Sequence, residues 1–190
     1  MFSEKNIPAP HSPYAVSKHE AELGLLALAK QTSIEVVIIR PPLVYGPGAP
    51  GNFDCLIRWL SQGIPLPLGA VNNRRSFIAL DNLVDLIVTC LRHPAAANQT
   101  FLASDGKDLS TTELLRRMND ALGSPARLIP IPPRLLQWGA KLFDKENIAQ
   151  QLLGNLQIDI SKTKERLNWM PPINIEEALR KTSEWYRKQR

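Results

Sequence analysis

The chain has 190 residues, 44% hydrophobic and 22% charged, which is ordinary globular usage and excludes a disordered or fibrous chain. Its net charge of +5, with a pI near 9.4, is mild and suits an anionic small ligand such as a nucleotide diphosphate. No Lys/Arg stripe is interleaved with aromatics, which argues against a nucleic-acid partner.

The first element is the most informative. Pro8-Ala9-Pro10-His11-Ser12-Pro13 is a rigid, turn-forming lead-in that delivers the chain into Tyr14. A helix over 15–32 follows, with Leu23, Leu26, Ala27 and Lys30 spaced at three and four. Tyr14 and Lys18, four apart, share one helix face. An ammonium beside a phenol favours phenolate, and such a phenol can move a proton on a sugar or alcohol hydroxyl. By itself the pair is also compatible with an exposed aromatic and a solvated lysine.

Ile34 to Ile39 reads as a buried parallel strand, ended by Arg40-Pro41-Pro42 because proline cannot donate to a ladder. Leu43-Val44-Tyr45-Gly46-Pro47-Gly48 is then a loop at the carboxyl end of that strand, where open α/β sheets bind ligands. Asn52 caps a helix to about Ser61, and Gly63 to Gly69 is extended and punctuated by proline. Ser76–Ala79 is a short strand. Asp81 caps a helix ending near His93-Pro94, and Gln99–Ala103 is a further strand. Ser110 or Thr111 caps a helix over 112–122 that Gly123 ends. Residues 127–131 are extended and helices are predicted over 133–143 and 147–154. Leu156–Asp159 is a short strand, Ser161 starts a helix to Leu167, and 175–188 form a last amphipathic helix. Alternating strands and helices argue an α/β fold.

Cys55 and Cys90 sit in apolar helical patterns and read as small core hydrophobes, with no metal-ligand spacing and hence no metal site expected. Met1 to Asn6 lacks an apolar signal core. The longest apolar run, Leu83 to Leu91, is interrupted by Asp85 and is too short to span a bilayer. No membrane partner and a cytoplasmic setting are therefore expected.

Several motifs, in order along the chain, resemble the extended short-chain dehydrogenase/reductases that act on nucleotide sugars. They are Pro13-Tyr14-Ala15-Val16-Ser17-Lys18, Arg40 to Gly48, Asn52-Phe53, Arg75-Ser76-Phe77-Ile78, Asn82-Leu83-Val84-Asp85, Asp159 to Lys162 and Leu167 to Pro171. Within that family the chain is most similar to UDP-glucose and UDP-N-acetylhexosamine 4-epimerases and related 4-keto-sugar reductases. The resemblance implies a Rossmann-type α/β fold with a small substrate-binding domain, a UDP-sugar substrate, and NAD (or NADP) as cofactor. It implies Tyr14 as catalytic base, Lys18 on the nicotinamide ribose hydroxyls, and the backbone from Pro41 to Leu43 against the carboxamide. Asn52 and Phe53 would lie near the diphosphate and uridine, and Arg75 would neutralise the diphosphate, a job its planar fork suits. Plainer readings stand beside these. Asn52 also reads as a helix cap, Arg75 and Arg74 as surface charge, Tyr45 as packing, and Asp159 as a cap or turn. Trp169 reads as a packing anchor for the last helix, and His11, His19 and His93 as surface residues.

The chain departs from the family pattern in four places. It lacks the serine or threonine that the family places in a strand-end segment upstream of the tyrosine, since Ser3 and Ser12 are too close to take that role. No Gly-x-x-Gly-x-x-Gly loop occurs, so residues 1–48 read as a remnant of the dinucleotide-binding domain, without its first strands. Residues 49–190 read as mainly substrate-binding, with some elements returning to the first part. Such a carboxyl-terminal part, from a truncated gene, a mis-assigned start or a cut chain, is expected to be inactive alone and to bind NAD poorly. Leu43 stands where many 4-epimerases carry asparagine, and near Gln150-Gln151-Leu152 a diphosphate-pairing arginine is missing. The leading expectation is a nucleotide-sugar 4-epimerase. The alternatives are a 4-keto-sugar reductase, less readily a dehydratase, or a non-catalytic binding or dimerisation fragment. In the last case the stripe Leu23, Leu26 and Leu28 would pair two copies in a homodimer.

Overall fold

The computed structural model describes all residues except His11, Pro50 and Arg190, together with the side chain of Asn52. Ser12 opens the first helix, α1 (Pro13–Gln31), by accepting the Ala15 N–H at 3.2 Å, with proline at the first helical position. None of the α1 residues is buried. The helix is tied to the sheet by Arg40, whose Nε and Nη2 donate to the Glu22 carboxylate at 3.0 and 2.5 Å.

Among the described residues, four short strands make two parallel pairs. β1 (Val37–Arg40) pairs with β4 (Gln99–Leu102), Val37 opposite Gln99. β2 (Leu43–Tyr45) pairs with β3 (Phe77–Ala79), Leu43 opposite Phe77. Two expectations are corrected here. Ile34 and Glu35 lie outside β1, because the partner strand offers only four residues, and Ile34 is exposed. Leu43 to Tyr45 form a strand rather than a loop, since β3 supplies the ladder that their proline and glycine neighbours lack. Leu156–Asp159 likewise makes isolated bridges, Arg75 with Leu156 and Phe2 with Ile158, instead of a strand.

The helices follow in the order α2 (Asn52–Ser61), α3 (Leu80–Arg92), α4 (Thr111–Leu122), α5 (Pro133–Leu142), α6 (Glu146–Leu153), α7 (Ser161–Leu167) and α8 (Ile175–Lys188). Ser110 caps α4 through Glu113 N–H at 3.0 Å, and Gly123 ends it in the left-handed conformation, as its sequence suggests. Two helix starts differ from expectation. Gly51 precedes α2 at the cap position, and Asn52 is its first residue. Asp81 lies inside the first turn of α3, where its carboxylate takes Lys181 Nζ at 2.8 Å instead of capping.

Two apolar clusters hold these elements. One joins α2, α4 and α8 to β2 and β3 through Phe53, Leu60, Leu115, Met118 and Leu179. The other joins α3, β4 and α7 through Leu86, Cys90, Phe101, Leu167 and Trp169. No helix among the described residues is long and apolar enough to cross a membrane.

Gly46 follows β2 with φ of 150°, and a Cβ there would lie 2.8 Å from the Leu80 Cβ at the start of α3. A Leu80 Cβ cannot swing aside as a side-chain tip can. Gly46→Ala is therefore expected to cost about 2 kcal/mol or more of stability, read as a lower midpoint in urea at unchanged slope.

Candidate functional site

The amino ends of β2 and β3, the first turns of α2 and α4 and the end of α6 enclose a cavity of about 130 Å³. Its wall includes Leu43, Phe53, Leu56, Phe77, Arg75 and Gln151. The fold thus gathers three of the predicted site residues, Leu43, Phe53 and Arg75, around one space. Phe53 is buried and meets Tyr45 edge-on, ring centroids 5.7 Å apart. Asn52 belongs to the same turn of α2, and its side chain lies outside the described residues.

Tyr14, Lys18 and Pro41 are not among the residues lining that cavity. Tyr14 is 74% exposed in the first turn of α1. Lys18, one turn on, holds its Nζ over the Tyr14 ring, 5.6 Å from the centroid. The pair is together and accessible. Pro41 is exposed in the connection between β1 and β2. A larger and shallower groove, about 510 Å³ between α5 and α6, touches none of the predicted site residues.

Arg75 supplies the charge. It is only 9% exposed, and burial holds its guanidinium below the usual arginine range. Its backbone is fixed by a reciprocal pair of hydrogen bonds with Leu109, both 3.0 Å. Its Nη1 donates to the Gly154 carbonyl at 2.8 Å. Among the described residues no carboxylate pairs with it. A buried guanidinium with one backbone acceptor and a cavity in front of it is chemically an anion receptor. Arg74, its neighbour, is exposed.

Sequence reasoning missed a buried polar network behind the cavity. Tyr45, fully buried, donates from Oη to Asp105 Oδ2 at 2.8 Å. Asp105 Oδ1 also accepts the Ala79 N–H at 3.0 Å and Asn82 Nδ2 at 2.7 Å. Burial raises the Asp105 carboxyl above its ordinary value despite these three donors, and burial with the nearby carboxylate pushes the Tyr45 phenol up. The network joins the ends of β2, β3 and β4. The signal available in the sequence was the tyrosine inside an otherwise apolar strand.

The secondary readings divide. Asp159 caps a turn, its Oδ1 accepting Ser161 N–H at 2.9 Å and Ser161 O–H at 2.6 Å. Trp169 is buried as a packing anchor, but against α3 rather than the last helix, with Nε1 donating to Asp85 at 2.8 Å. His93 is half-buried and accepts the Ala95 N–H through Nδ1, capping a short 3₁₀ turn. His19 is half-buried, its Nδ1 4.0 Å from Glu22. Neither is the free surface residue expected, and His11 lies outside the described residues.

Comparison with known proteins gives this geometry a family. Residues 2–103 match the model of the NAD dependent epimerase/dehydratase family. A UDP-glucose 4-epimerase of Vibrio cholerae is 50% identical over 184 residues, covering 96% of this chain and 56% of the relative. The fold superposes on the Thermotoga maritima UDP-glucose 4-epimerase solved with UDP-glucose, TM-score 0.78 at 23% identity, over 99% of this chain and 57% of that one. It superposes equally on a Bacillus cereus UDP-glucuronic acid 4-epimerase solved with NAD, TM-score 0.78 at 21% identity, over 98% and 56%. The chain therefore spans a little over half the length of these relatives. With more than half of its residues inside the family model, the chain belongs to the NAD dependent epimerase/dehydratase family.

Proposed function

We propose that the chain carries the tyrosine and the substrate-binding side of a NAD-dependent nucleotide-sugar 4-epimerase of the UDP-glucose 4-epimerase kind. The observation that carries this reading is Arg75, a desolvated cation without a carboxylate partner among the described residues, facing an apolar cavity. A UDP diphosphate would take its free N–H groups, and Phe53 and Leu43 would line the path of the nucleotide. Tyr14 would move the proton of the sugar 4-hydroxyl, taking it as C4 is oxidised and returning it as C4 is reduced. Bound NAD would supply the hydride acceptor and donor for that change. The residues present suit one side of the cofactor. Lys18 would hold the ribose hydroxyls and the backbone of Pro41 to Leu43 the carboxamide, with the accessible Tyr14–Lys18 pair free to meet both ligands.

The pairing of β1 with β4, and the cluster that packs α3, β4 and α7 against Val37 and Ile39, support the reading that some elements of 49–190 return to the dinucleotide-domain part. Of the predicted stripe, Leu23 and Leu28 are exposed and Leu26 is half-buried, which supports pairing of two copies through α1. One observation favours a 4-keto-sugar reductase as the second reading. Leu43 gives the cavity wall an apolar side chain, so this position offers no side-chain hydrogen bond to a sugar.

Isothermal titration tests the proposal. The 190-residue chain is expected to bind UDP and to show no measurable binding of NAD, with no turnover of UDP-glucose. Absence of UDP binding by a chain that melts cooperatively would overturn the reading of Arg75. Conversion of UDP-glucose to UDP-galactose would overturn the expectation that these residues are inactive alone.

A further inference from the structure

The end of α6 forms part of the cavity wall, and Asn73 binds it at two carbonyls. Asn73 is 9% exposed and lies two residues before Arg75. Its Nδ2 donates to the carbonyls of Gly154 at 2.9 Å and Leu152 at 3.0 Å, and lies 3.1 Å from Thr111 Oγ1. Its Oδ1 accepts the Thr111 N–H at 2.8 Å, and Thr111 Oγ1 donates to the Leu152 carbonyl at 2.6 Å. The Gly154 carbonyl is thus shared: Asn73 donates to it from one side and Arg75 Nη1, at 2.8 Å, from the other.

This sharing has a directional consequence. Carbonyls at the end of a helix carry partial negative charge, and their placement decides where a neighbouring cation points. Arg75 has its backbone fixed by Leu109, so the hydrogen bond from its guanidinium to Gly154 sets how the fork meets the cavity. The adjoining strap is stitched to the same stretch by backbone, Leu156 N–H to Arg74 O at 2.9 Å and Ser76 N–H to Leu156 O at 2.7 Å. Those bonds place the strap but leave the Gly154 carbonyl to Asn73 and Arg75.

We propose that Asn73 is a positioning residue for a substrate diphosphate, orienting the Arg75 guanidinium through the Gly154 carbonyl that both side chains share. The proposal rests on Arg75 being the diphosphate receptor. An asparagine suits the position because it both donates to two carbonyls and accepts from a backbone N–H. An aspartate would face two carbonyls with acceptors only, and would offer Arg75 a competing anion.

The test separates positioning from stapling by comparing UDP with uridine, which has the same base and no phosphate. With Asn73→Asp, affinity for UDP measured by titration calorimetry is expected to fall about 100-fold, while affinity for uridine changes less than about threefold. Asn73→Ser, which keeps a shorter donor and protects the test against a misfolded aspartate variant, is expected to lose about 10-fold for UDP alone. Thr111→Val weakens the same staple without touching the Gly154 carbonyl, and is expected to lower thermal stability with UDP affinity within about threefold. Parallel losses for UDP and uridine in both Asn73 variants, or unchanged UDP affinity in both, would overturn the positioning role. A wild-type chain that binds UDP no better than uridine would instead overturn the diphosphate reading of Arg75 itself.

Discussion

Arg75→Met is expected to lower the affinity of this chain for UDP by about two orders of magnitude, and to do so without lowering its melting temperature. The first half follows from charge-assisted hydrogen bonds. Two such bonds from a guanidinium to a diphosphate are worth roughly 3 kcal/mol or more together, which is about 100-fold in affinity. The second half follows from burial. Arg75 is desolvated, burial pulls its guanidinium below its ordinary range, and no carboxylate among the described residues compensates it. Replacing an uncompensated buried charge by an apolar side chain of similar length is often neutral or stabilising. Methionine can fill the space beside Leu114, Leu115 and Phe77. The Gly154 carbonyl loses one donor but keeps Asn73 Nδ2. Titration calorimetry and a thermal melt on the same preparation check both halves. A structural arginine would give the reverse result, with intact UDP affinity and a melting temperature several degrees lower.

That opposition of binding and stability also explains how much of the site could be read from sequence. Arg75, Phe53 and Leu43 were legible because each sits in a short contiguous motif, and contiguous residues keep their order in any fold. Asn73, Gly154 and Asp105 were not. Their roles come from contacts across 81 and 60 residues, Asn73 to Gly154 and Tyr45 to Asp105. No local pattern encodes such pairs. The same division runs through the fold. α4, α7 and α8 matched their predicted spans closely, because caps such as Ser110 and Asn174 and an apolar periodicity act locally. The strands were less legible. β2 is three residues long beside a turn signal, and only its partner β3 makes it a strand, whereas Ile34 has the right composition and no partner. Trp169 was correctly read as an anchor, but its target was set by Asp85, 84 positions away.

Asp105→Ala is expected to cost about 3–5 kcal/mol of stability. The carboxylate accepts from Tyr45, Ala79 N–H and Asn82, and the first two lose their acceptor where water does not reach. Asn82 retains the Ile173 carbonyl at 3.0 Å. Asp105→Asn behaves differently. Its oxygen keeps both N–H donors, its amide can donate to Tyr45 Oη, and the buried charge is gone, so the change should stay within about 1 kcal/mol. The pH dependence separates charge from shape. Burial raises the folded-state carboxyl above its ordinary 3.8, so between that value and the raised one the folded chain holds a proton that the unfolded chain has lost. Stability contributed by Asp105 is therefore full at the acid end of this window and falls as pH rises through it. The asparagine variant lacks this slope. Urea midpoints of the two proteins, compared from about pH 4 to about pH 7, should shift in favour of the variant as pH increases. A difference that moves the other way would mean that the three donors outweigh desolvation, and that the ionised carboxylate is what holds the ends of β2, β3 and β4 together.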